Sequence, residues 1–85
     1  MKFTIVERKM KIDDDLRQYA LRKVEKLDRY FHQDSDTTLT FSELRGKQTV
    51  EITVRQTGLV VRAEETTTDM FAYVDGAISS IERQI

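Results

Sequence analysis

Eighty-five residues with no cysteine and no proline, 14 Lys and Arg against 15 Asp and Glu, make one small domain of net charge −1. That leaves no disulfide framework, no thiolate metal site and no cysteine redox chemistry. No apolar run approaches the length that spans a bilayer, and the opening MKFTIVERKM is charged within two residues, so the chain reads as soluble and cytoplasmic, with no membrane partner.

Lys2 to Val6 alternates around Phe3 and Ile5 and reads as a first strand, with Met10 and Ile12 continuing the extended chain beyond a polar connection. Asp13 is placed to cap a helix running to about Phe31, and Asp14 and Asp15 suit the positive end of its dipole. His32 to Asp36 form a polar break, and Thr37 to Leu44 resume as a second strand around Leu39 and Phe41. His32 is assigned a place at the helix C-terminus, where an imidazole favours the carbonyl dipoles.

Arg45, Gly46 and Lys47 form a short turn into the strictest alternation in the chain, Val50, Ile52 and Val54 against Thr49, Glu51, Thr53 and Arg55. Thr57 and Gly58 turn again into Leu59 to Glu65, with Val61 and Ala63 expected inward and Arg62 and Glu64 outward. Thr66, Thr67, Thr68 and Asp69 offer capping oxygens for a second helix with Met70, Val74, Ala77, Ile78, Ile81 and Ile85 on one face. Phe71 is expected in the core, and Tyr73 at the rim or as a stacking platform. Ile85 carries no stop signal, so the natural polypeptide is expected to continue.

The order β-α-β-β-β-α predicts an α+β domain spanning 1–85: a four-stranded, mainly antiparallel sheet with two helices packed on one face. No linker, repeat or low-complexity tract interrupts it.

The first helix sorts its charges. At about 100° per residue, Leu16, Ala20, Val24, Leu27 and Phe31 fall within roughly 80° of one another as an apolar stripe. Arg22, Lys23, Lys26 and Arg29 gather on one flank with Tyr19 and Tyr30 between them, and Glu25 and Asp28 lie further round. The like-charge pairs Arg22/Lys26, Lys23/Lys26 and Lys26/Arg29 cost about 0.2–0.5 kcal/mol each, which Glu25 offsets in part. A solvated helix face accounts for such a pattern, and so does a surface that meets an RNA backbone. The uneven charge favours one oriented face: residues 1–31 hold nine Lys or Arg and six Asp or Glu, and residues 32–85 hold five and nine, so the two parts stand at +3 and −4.

Signs of enzyme chemistry are missing. Asp13, Asp14 and Asp15 point about 100° apart on a helix and cannot converge on one cation. The glycines Gly46, Gly58 and Gly76 stand too far apart for a phosphate loop, and His32 is the sole histidine. Glu43, Glu51, Glu64 and Glu65 suit paired carboxylates across strands, but an open sheet has no deep pocket in which to shift a carboxylate pKa. The reading is a binding protein without cofactor, metal or small-molecule substrate.

The opening with LRQYALRKVEKLDRYF, the VVRAEE strand and DMFAYVDGAISSIERQI resemble the ribosome hibernation-promoting factors, also called ribosome-associated inhibitors. The resemblance covers the whole chain and is most specific at Asp69-Met70, Phe71, Ala72, Asp75 and Ile81-Glu82-Arg83-Gln84. It implies a bacterial stress-response factor that occupies the decoding channel of the small ribosomal subunit, where messenger RNA and the A- and P-site transfer RNAs would lie. Inhibition would follow from occupancy without chemistry.

Basic residues on the first helix and near the end of the second would hold small-subunit (16S-type) rRNA. The matching positions are Arg17, Arg22, Lys23, Lys26, Arg29 and Arg83; four belong to the strip found by periodicity, which adds Tyr19 and Tyr30, while Arg17 lies outside it. The family's long form continues into a second domain that pairs ribosomes, so the chain is expected to be an isolated N-terminal domain. Glu7 and Arg8 depart from the family, standing where many relatives have Gly or Asn. Two rival readings remain at this level: a protein-interaction module for an acidic partner, and a generic double-stranded RNA binder, although the known module of that kind starts with a helix.

Overall fold

The computed structural model describes the backbone of residues 1–56, 59–67 and 69–84, and side chains throughout these except at 59 and 61–67. Its elements are β1 (Lys2–Arg8), α1 (Asp14–Glu25), a 3₁₀ turn (Asp28–Tyr30), β2 (Asp36–Leu44), β3 (Lys47–Gln56), β4 (Leu59–Thr67) and α2 (Met70–Gln84). The strands lie in the order β1-β2-β3-β4.

β2 with β3 and β3 with β4 pair antiparallel, each through a short connection, whereas β1 pairs parallel with β2, Ile5 opposite Leu39. The sheet is therefore mixed: two of its three strand pairings are antiparallel, and the parallel β1–β2 pair is what the expected arrangement did not specify. The reason is the connection: α1 returns the chain to the end at which β1 began, so β2 sets off in the same direction. The turn from β2 to β3 holds both central residues in left-handed backbone, Arg45 at φ +52° and Gly46 at φ +80°, the pattern that matches the twist of the two strands it joins.

Both helices cover the face on which strand alternation places Leu39 and Phe41 of β2 and Val50, Ile52 and Val54 of β3, all fully buried. Leu16, Ala20 and Val24 come down from α1, and Tyr73, Val74, Ala77, Ile78 and Ile81 from α2. Asp13 caps α1, its carboxylate accepting the Leu16 N–H at 2.8 Å. Asp69 does the same for α2, accepting from the N–H groups of Phe71 (3.0 Å) and Ala72 (3.3 Å).

Several local expectations change. The chain does not run on extended to Ile12: Lys9 adopts φ +59° and turns it, and Met10 and Ile12 pack half-buried against the core. α1 stops at Glu25 instead of near Phe31. Beyond it the bonds tighten to three-residue spacing, Leu27 N–H to Val24 O and Tyr30 N–H to Leu27 O, both 2.9 Å. Tertiary partners claim the backbone that follows: Lys2 N–H donates to Ser35 O, the Met1 amine to Gln33 O, and His32 N–H to Gln56 Oε1. Leu27 and Phe31 stay buried through this change of helix type. His32 lies seven residues past the end of α1, so it does not sit at that helix's dipole.

On α2 the two aromatics exchange the expected roles. Tyr73 is buried at 1% exposure, and Phe71 is 40% exposed. Thr57, Gly58, Thr68 and Ile85, and the side chains of Val61, Arg62, Ala63, Glu64, Glu65, Thr66 and Thr67, lie outside the described residues.

Candidate nucleic-acid interface

The site begins with the stripe that buries α1. Once Leu16, Ala20 and Val24 face the sheet, helical spacing commits Arg22, Lys23 and Lys26 to one outer flank, and the 3₁₀ turn carries Arg29 and Tyr30 on from it. Arg22, Lys26, Arg29 and Tyr30 are exposed, while Tyr19 and Lys23 are half-buried against α2. Among the described residues no carboxylate lies within ion-pair distance of Arg22, Lys26, Arg29 or Arg83, and Arg83 is exposed in the last turn of α2.

Lys23 differs. Its Nζ lies 3.5 Å from Asp75 Oδ1 and 5.3 Å from the centre of the Tyr19 ring. Tyr19 in turn directs its hydroxyl at both oxygens of Asp75, at 2.7 and 2.6 Å. The hydrogen bond to the Asp75 carboxylate raises the Tyr19 phenol above the ordinary tyrosine value, and the charge of Asp75 raises the Lys23 ammonium. Phe71 closes the group, its ring edge-on to Tyr19 with centroids 5.1 Å apart at 72°.

A second group repeats the plan further along the parallel helices. Tyr30 donates to Glu82 Oε2 at a long 3.4 Å, and Arg29 donates to the Tyr30 hydroxyl at 3.0 Å while its guanidinium lies 4.9 Å from the ring centre. Asp75 and Glu82 are seven residues apart, two turns of α2, so one face of that helix presents both carboxylates to α1.

Arg17 is not part of this flank. It donates to Glu7 Oε1 at 3.2 Å, and Glu7 Oε2 accepts the Ile12 N–H at 2.9 Å. That backbone bond, followed by the one from Arg17, holds the Glu7 carboxyl below the ordinary glutamate value. Glu7 thus ties down the β1–α1 connection and occupies Arg17. Of the strand carboxylates, Glu43 stands opposite Gln48 across the β2–β3 pair, whereas Glu51 stands opposite Glu64 in the register of the β3–β4 pair.

Sequence reasoning passed over Asp75, Glu82 and Phe71 as parts of this surface. The seven-residue spacing of the two acids was visible, but which face of α2 meets α1 is not written in either helix alone.

The structure is thus a mixed-sheet α+β domain that displays Arg22, Lys26 and Arg29 beside tyrosines on an open surface. The chain belongs to the Sigma 54 modulation protein / S30EA ribosomal protein family, whose model matches residues 3–85. It is 33% identical over 90 residues to the ribosome hibernation promotion factor of Lactococcus lactis subsp. cremoris, covering 100% of this chain and 48% of the relative. With the factor of the same name from Deinococcus radiodurans it shares 35% over 83 residues, 92% of this chain and 44% of that one. The chain spans about half the length of the curated relatives it matches.

Among solved structures, the Protein Y N-terminal domain of Thermus thermophilus superposes with a TM-score of 0.83 at 32% identity, covering 99% of this chain and 94% of that one. A ribosomal subunit interface protein from Coxiella burnetii gives the same TM-score at 20% identity, a likeness of fold.

Proposed function

We propose that this domain binds the small ribosomal subunit in its decoding channel and keeps idle ribosomes inactive by occupying the space of messenger RNA and of A- and P-site transfer RNA. Arg22, Lys26 and Arg29 are the primary rRNA contacts, with Lys23, Arg83, Tyr19 and Tyr30 at their margins. Arg17, committed to Glu7, contributes least. The observation that carries this reading is the exposed cationic flank that α1 begins, with no carboxylate among the described residues in ion-pair reach of Arg22, Lys26 or Arg29, in a chain whose relatives bear the name ribosome hibernation promotion factor.

Arginine forks hold phosphates in pairs of bonds and lysine acts as a point charge, so shape and charge supply the recognition with no need to read bases. Pairing of ribosomes into inactive dimers belongs, on the family likeness, to the part of the relatives that this chain does not span. The test is co-sedimentation with vacant small subunits, with free duplex RNA and with ribosome-free lysate proteins, for the wild type and for Lys26→Glu combined with Arg29→Glu. Selective loss on the subunit is expected. Unchanged subunit binding in the double variant removes the flank from the function, and binding only to lysate proteins favours a protein-interaction module.

A further inference from the structure

The pair between Lys23 and Asp75 is lopsided. The Tyr19 hydroxyl lies 2.6 and 2.7 Å from the two carboxylate oxygens of Asp75 and shares its one proton between them, at the short separations of a bond to an ionised acceptor. Lys23 approaches one of them at 3.5 Å, well outside the roughly 2.7–2.9 Å of a tight ammonium–carboxylate bond. Tyr19 is itself steadied by Phe71 edge-on at 5.1 Å. When the pair opens, Asp75 therefore stays with Tyr19 and the flexible lysine stem is what moves. Half of the Asp75 side chain, 49%, faces solvent on the flank where a phosphate would arrive.

We propose that Asp75 is a specificity-determining residue: fixed by Tyr19, it competes with RNA phosphate for Lys23, so that RNA relying on Lys23 binds weakly and a target that engages Arg22, Lys26 and Arg29 together is favoured. The proposal rests on reading the α1 flank as an RNA-docking surface and deepens it. Any phosphate that takes Lys23 must also lie near a retained carboxylate, an unfavourable contact for each target that uses that lysine. A folded RNA that fixes several phosphates against Arg22, Lys26 and Arg29 at once can leave the Lys23–Asp75 pair closed and avoid this cost; a uniform duplex meeting few cations depends on Lys23 and bears it. Glu82 supplies the internal comparison, because Arg29 reaches the Tyr30 hydroxyl and ring while no ion pair joins it to Glu82.

The decisive variant is Asp75→Asn, whose amide oxygen still accepts from Tyr19 while the charge is gone. Binding is measured on a generic RNA duplex of about 20 base pairs and on vacant small subunits, with the salt dependence of each. On the duplex the expected change is a tightening of about 3- to 10-fold at low salt and a log–log salt slope steeper by about 0.9, one added phosphate contact. On the subunit the tightening is smaller, so the preference for the subunit falls. In a Lys23→Ala background at least half of the duplex gain disappears, because the carboxylate acts through Lys23. Glu82→Gln changes duplex binding less than Asp75→Asn.

An Asp75→Asn protein with unchanged duplex affinity and slope overturns the proposal, as does a gain that persists undiminished without Lys23. These results are separable from failure of the docking reading, which shows as undiminished subunit binding by Lys26→Glu with Arg29→Glu while the Asp75–Lys23 cycle is still read on the duplex. A wild type that binds neither RNA overturns both.

Discussion

Two ends of one seam between α1 and α2 carry the same three kinds of side chain and use them differently. At the Tyr19 end, carboxylate, phenol and ammonium close on one another, with Asp75 within 2.7 Å of the hydroxyl and 3.5 Å of Lys23. At the Tyr30 end the carboxylate is 3.4 Å from the hydroxyl, and Arg29 leans on the tyrosine instead of on the acid. The cation at the first end is compensated within the fold; at the second end it remains available. The outward charge of the flank therefore has its weight at Arg22, Lys26 and Arg29, toward the 3₁₀ turn.

The largest effect that tests this contrast is on binding. Lys26→Glu with Arg29→Glu is expected to weaken association with vacant small subunits by about two decades at low salt, whereas Arg29→Ala alone costs about tenfold and Lys23→Ala about threefold. Equal losses for the two alanine variants, measured by co-sedimentation across a salt series, would abolish the distinction between the ends.

Next in size is a stability effect. At the Tyr30 end Leu27 is fully buried, at 0% exposure, so Leu27→Ala is expected to cost about 3 kcal/mol in urea unfolding. A loss under about 1 kcal/mol would mean that the 3₁₀ turn is anchored by its polar contacts after all.

Smaller still is the pair of hydroxyl deletions. Tyr19→Phe removes two short contacts to an ionised group and is expected to lower the melting temperature by about 2–4 °C, while Tyr30→Phe shifts it by about 1 °C or less. The reverse order in calorimetry would show that the long Tyr30–Glu82 contact closes in solution.

The smallest effect concerns pH and lies away from the seam, at the β1–α1 connection. Glu7 has a lowered pKa because the ionised carboxylate accepts from the Ile12 N–H and from Arg17. A depressed folded value means that its contribution is present above the ordinary 4.5 of the unfolded chain and is lost as pH falls through the lower folded value. Glu7→Gln should accordingly flatten the acid limb of the stability curve and leave neutral pH little changed, and an acid limb identical to wild type would show that Glu7 makes no such contribution.

Strong local periodicity made much of this molecule legible. Val50, Ile52 and Val54 alternate strictly and lie buried on one face, Asp13 stands where a cap belongs, and Leu16, Ala20 and Val24 repeat at helical spacing. The flank of cations follows from that repeat, since burying one stripe leaves the other residues their positions round the helix. Where two faces of a helix are similarly apolar, periodicity could not choose: Tyr73 and Phe71 flank the same stripe of α2, and the neighbour that each meets settled which is buried.

α1 ends short of Phe31 for a related reason. The apolar positions Val24, Leu27 and Phe31 satisfy α and 3₁₀ spacing almost equally over so short a run, and the partners that hold the segment just after the turn, Met1, Lys2 and Gln56, come from distant parts of the chain.

Local order along the chain thus carried the elements, the buried stripe and the sign of the charge on each helix flank, because these depend on spacings of two to four residues. The parallel direction of β1 beside β2, the burial of Tyr73 and the neutralisation of Lys23 by Asp75, fifty-two residues later, arose when the helices were laid side by side on the sheet. Such contacts join residues remote in sequence, and their energies exist only once packing has brought the partners within a few ångströms.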